Sequence, residues 1–103
     1  MTDAMRESLK KSLEADRRML HSANETIKFY TELLKDSRKD DRRHLEWVWS
    51  RGVLDELEME IYNVKNYAGS ETRRLLKMRA SEYRWRNKLK HWIKRYETWL
   101  AEE

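Results

Sequence analysis

Proline and cysteine are absent from the chain, and glycine occurs only as Gly52 and Gly69. With so few breakers nothing forces a helix to stop over long stretches, and a charged content of 41% then reads as helical surface. The lack of cysteine excludes disulfides, zinc thiolates and thiol nucleophiles. Two isolated glycines build neither a phosphate-binding loop nor a dinucleotide fingerprint. Long hydrophobic runs are missing too: none approaches the ~20 residues of a membrane span, and no apolar leader follows Met1. A cytoplasmic protein without a membrane partner is expected.

The inventory for chemistry is equally thin. His21, His44 and His91 are scattered, and neither the His21–Glu25 pair nor the Asp41–His44 pair extends to a ligand set. A helical di-iron site needs two inward Glu-x-x-His pairs, and the sequence has none. The acidic run Asp55, Glu56, Glu58, Glu60 reads as a solvated face rather than a pair of positioned catalytic carboxyls. The expectation is a non-enzymatic protein with no metal, no cofactor and no small-molecule substrate.

What the chain has in quantity is tryptophan and tyrosine, five of each, and basic residues near its end. Trp85, Trp92 and Trp99 recur every seven residues, with Leu75, Met78, Leu89 and Tyr96 between them. That spacing predicts a helix with the indoles in its core seam. An outward stacking platform for bases, or a groove for a partner helix, is the alternative. Ten basic residues lie between Arg73 and Arg95 against Glu82 alone, and residues 69–103 carry a net +5 of the chain's +4.

Upstream, Leu9, Leu13, Asp16, Leu20, Ala23, Ile27, Tyr30 and Leu34 follow alternating steps of four and three. Residues 35–44 are all polar, and the next repeat, Trp47, Ser50, Leu54, Leu57, Ile61, Val64, Ala68, is out of phase by one. This slip predicts a turn near Ser37, with Ser37 and Asp40 as a weak capping box. Gly52 is expected to be tolerated inside a second helix, and Gly69-Ser70 to end it and start a third. The predicted fold is all-α, a single domain over 1–103. It is an antiparallel up-down-up three-helix bundle with coiled-coil-like 3-4 heptad seams and helices at about 3–35, 38–68 and 70–101. In that arrangement Leu9, Val64 and Leu75 share a level, as do Ile27, Trp47 and Trp92, and the acidic seam residues Asp16 and Glu82.

Two binding surfaces emerge. Phe29, Leu33, Leu45, Trp49, Val53, Ile93 and Leu100 lie off the seams and would gather at one end of such a bundle. They form an apolar patch for self-association or for another protein. Arg73, Lys77, Arg84, Lys88 and Arg95 on the basic helix could instead follow a nucleic-acid phosphate backbone without reading sequence.

Overall fold

A computed structural model describes residues 1–102 of the chain. Every regular element among them is helical: α1 spans Asp3–Ser50, α2 Glu56–Ile61 and α3 Ser70–Ala101. The order is therefore long, short, long. No described helix is long and apolar enough to cross a membrane.

α1 starts where expected, with the Met5 amide donating to Thr2 Oγ1 at 3.2 Å. It does not stop at Ser37. The predicted turn is corrected by a helix that runs unbroken through all ten polar residues. The seam continues through them as Ser37 and Asp41 and then, shifted by one residue past exposed His44, as Leu45 and Val48; Ser37 and Leu45 are buried. A seam can turn polar without ending, provided its buried groups find hydrogen-bond partners. Here Thr72 of α3 supplies them: its hydroxyl donates to Asp41 Oδ2 at 2.6 Å and meets the Ser37 hydroxyl. Surface pairs Lys35–Glu32 and Arg43–Asp40 lie on the outer face of the same stretch.

Gly52 is what ends α1. Its φ of +138° is closed to residues with a Cβ, although the space around it is open. The reading of Gly52 as a tolerated position within a continuous second helix is thus overturned. The second helix itself shrinks from residues 38–68 to the six residues of α2, capped by Asp55, whose carboxylate accepts the Glu58 amide at 2.8 Å. Gly69 also plays a different part from the expected left-handed stop. Its carbonyl accepts the Arg73 amide, which places it at the start of α3, and an added Cβ would stand 2.6 Å from Asp41 Oδ1. Gly69 is small because a carboxylate occupies the room a side chain would need.

Contacts within the chain gather into two units. One joins Met1–Lys28 to the chain from Arg79 onward, and the other is Phe29–Met78. In the first unit Arg17 Nη2 meets Glu97 Oε1 at 3.1 Å, and Trp99 shares a shallow cleft with Met5 and Leu9. Moving up α1 therefore means moving down α3, and the two pack antiparallel. An up-down-up order would have made the two long helices parallel, and their pairing in this unit does not bear it out. Leu9 shares its cleft with Trp99, and Leu75 belongs to the other unit. Asp16 adjoins the Arg17–Glu97 pair, whereas Glu82 sits fifteen residues, roughly 22 Å, further along α3. The acidic layer expected from the sequence does not form.

The core of the first unit is Leu13, Ala23, Ile27, Leu89 and Ile93; that of the second is Leu34, Leu45 and Leu75. Along α3 the inward line has Leu75, Leu89 and Ile93 buried, with Met78, Glu82, Arg86, Tyr96 and Leu100 half-buried between and beyond them. It shares Leu75, Met78, Leu89 and Tyr96 with the predicted seam but replaces exposed Trp85 and Trp92 by Arg86 and Ile93, one residue on, while Trp99 is half-buried like Leu100 beside it. Aliphatic Ile93 packs between closely paired helices where an indole would hold them apart. Arg86 is accommodated by laying its guanidinium over the Tyr83 ring at 4.7 Å.

Candidate functional site

Two surfaces carry unusual chemistry, one in each unit. In Phe29–Met78 it is the connector after α1. A cluster of rings ties its far end down: His44 lies within 6.0 Å of the Trp47, Tyr62 and Tyr67 rings, and Tyr62 is 5.6 Å from Tyr67. Trp49 Nε1 donates to the Tyr62 carbonyl at 2.9 Å, and Arg51 stacks on Trp47 at 4.4 Å. Loss of water around the Tyr67 hydroxyl, and then the negative Asp41, push that phenol above its ordinary range.

Anchored at its rings, the connector leaves its apolar side chains uncovered. Trp47, Trp49, Val53, Leu57, Met59, Ile61 and Val64 are all exposed, Val53 completely, and α2 buries no residue. Trp47, Val53, Leu54 and Tyr62 line one open cleft of about 380 Å³. Alternating with them are Asp55, Glu56, Glu58 and Glu60; none of these carboxylates is ion-paired among the described residues.

The residues expected to form the apolar patch divide. Phe29, Leu33, Leu45, Trp49 and Val53 belong to the second unit, and Ile93 and Leu100 to the first. Phe29, Trp49 and Val53 are exposed and Leu33 half-buried, whereas Leu45 and Ile93 are core. The period of the repeat had hidden Leu57, Met59, Ile61 and Val64. Leu57, Ile61 and Val64 would point inward on a long helix as members of the predicted seam, and the turn at Gly52 turns them out; Met59 lay outside that seam.

The second surface is the outer side of α3. Arg73, Lys77, Arg84, Lys88 and Arg95 are all exposed, and none forms an ion pair among the described residues. Arg73 and Lys77 fall in the second unit and the other three in the first. At 3.6 residues per turn Arg84, Lys88 and Arg95 occupy about 40° of arc, and Trp85, Trp92 and Trp99 occupy the arc beside it. Trp85 and Trp92 keep 43% and 44% of their surface in water. The Arg95 guanidinium lies over both Trp92 and Trp99, at 5.6 and 5.2 Å. Between residues 83 and 101 the one carboxylate is Glu97, held by Arg17.

A third cluster, Ser37, Asp41 and Thr72, resembles a proton relay only on paper. Ser37 and Thr72 are buried and bonded to each other, so neither hydroxyl is presented to a substrate. Its work is to pair two helices.

In comparison with known proteins, the chain matches no family model, no curated protein and no solved structure. What each surface does has to be argued from its own chemistry.

Proposed function

We propose that the chain is a non-enzymatic assembly module that pairs with a second copy of itself through the connector following α1. The observation that carries this reading is the row of seven exposed apolar residues from Trp47 to Val64, beside a helix that buries nothing. Six residues are too few to hold a helix by local propensity in water, so α2 needs a surface to lie against. Together the seven expose on the order of 800 Å², the share one partner contributes to a standard interface. A second copy brings the same patch across a twofold axis, apolar against apolar, with the carboxylates at the rim in water. Coiled-coil pairing of α1 with α3, for which both seams have the 3-4 spacing, belongs to the same reading. Light scattering on the full chain tests it: association driven by apolar area persists in high salt, and Val53→Asp with Leu57→Asp should abolish it.

A second reading has an observation of its own. Arg84, Lys88 and Arg95 form a cationic strip with no carboxylate on that side of α3, and none is neutralised within the unit. Such a strip suits the phosphate backbone of a nucleic acid, bound without regard to sequence and weakened steeply by salt.

A further inference from the structure

We propose that the strip on α3 is a site for single-stranded nucleic acid, with Trp85 and Trp92 as stacking surfaces for bases and Arg84, Lys88 and Arg95 as phosphate contacts. The inference rests on the second reading above and adds to it the kind of strand. A duplex offers a cationic helix only its phosphates, because its bases are stacked on one another. An unpaired strand offers phosphates and free base faces together, and the face of α3 supplies a partner for each.

The placement of the indoles supports this. Trp85 and Trp92 stand outside the core with nearly half their surface in water, although Leu89 and Ile93 beside them are buried. They are seven residues apart, roughly 10.5 Å along the helix, and Lys88 lies between them. One base can therefore stack on each ring while the intervening phosphate meets the ammonium. Arg95 contacts the Trp92 and Trp99 rings, so its cation and the aromatic surface are already assembled before a ligand arrives. Arg84 is oriented too, its guanidinium donating to Ser81 Oγ at 3.1 Å. His91 lies against Trp92 with ring centroids 5.7 Å apart, which extends the aromatic surface on this side of α3. An apolar protein partner would leave the three cations to be stripped of water without compensation, whereas a phosphate chain compensates each of them.

The test is a fluorescence titration of the full chain at low salt. The titrants are a short oligothymidylate, the same strand paired with oligodeoxyadenylate, and vesicles containing phosphatidylserine. The expected result is quenching of tryptophan emission by the single strand, with at least tenfold tighter binding than the duplex. Trp85→Ala with Trp92→Ala should weaken single-strand binding roughly a hundredfold, about tenfold per ring, and leave the duplex value unchanged. Trp85→Phe with Trp92→Phe keeps a ring at each place and should retain most of the affinity. That pair separates stacking from any disturbance of the helix, which circular dichroism checks independently. Arg84→Gln, Lys88→Gln and Arg95→Gln together should weaken both forms and flatten the log–log salt slope by about 2. Equal affinity for strand and duplex, indifferent to the indole variants, overturns the stacking proposal and leaves the phosphate reading standing. Failure to bind either nucleic acid, or binding to the vesicles alone, overturns both.

Discussion

In the unit formed by Met1–Lys28 and the chain from Arg79, α1 meets α3 through Leu13, Ala23, Ile27, Leu89 and Ile93. In Phe29–Met78 the same two helices meet through fewer apolar residues, Leu34, Leu45 and Leu75. There a hydroxyl–carboxylate set, Ser37, Asp41 and Thr72, adds polar pairing. Apolar seams attract but discriminate poorly between registers one heptad apart, whereas a buried polar set is satisfied only in one register. The first unit supplies most of the burial. Within the second, the polar set fixes which residue of α3 faces which residue of α1.

Substitutions can break this division of labour. Leu89→Ala should have the largest effect, about 3 kcal/mol, because the residue is 3% exposed and its removal leaves a cavity between paired helices. Urea titration followed by circular dichroism measures the loss. Asp41→Ala should cost about 2 kcal/mol in the same assay by removing the charged acceptor of the Thr72 hydroxyl, which leaves Ser37 as its remaining partner, and by removing a negative charge from the start of α3. Gly69→Ala sharpens the point. In the native background the new methyl collides with Asp41 Oδ1, and in an Asp41→Ala background it should be nearly neutral. Additive losses in that double-mutant cycle would mean that Asp41 and Gly69 do not share one space.

The same contrast explains what could be read in the sequence. In the first unit the apolar period sufficed: the α1 seam from Leu9 to Ile27 lies where its 3-4 spacing puts it. On α3 the period placed the helix but not its rotation, because Trp85 and Arg86, or Trp92 and Ile93, are alternatives one residue apart. Packing width decided between them. In the second unit the period misled. Ser37 and Asp41 look like surface until Thr72, thirty-one residues beyond Asp41, completes their hydrogen bonds, and no local pattern announces a partner so distant. The apolar residues of 54–64 kept a helical rhythm although the chain is not one helix there. Trp49 and Val53 of the expected patch remain exposed, but the companions expected from helix 3 do not, since Ile93 is core.

Smaller effects mark the connector. Gly52→Ala should cost about 1 kcal/mol through backbone strain alone, since nothing lies within 4 Å of the new methyl. Tyr67 adds a pH dependence. Its phenol is raised above the ordinary 10.0 by desolvation and by Asp41, so the folded state holds the proton more tightly than the unfolded chain. That contribution is complete below pH 10.0, and stability should decline as pH rises past it. Tyr67→Phe should remove the decline, as followed by thermal melts across the alkaline range.

The central claim is that the exposed connector is an interface, and solution mass by light scattering tests it most directly. The account predicts a dimer whose mass is the same in low and high salt, and a helical monomer once Val53 and Leu57 are both replaced by Asp. A wild-type chain that stays monomeric at every concentration and salt would contradict it.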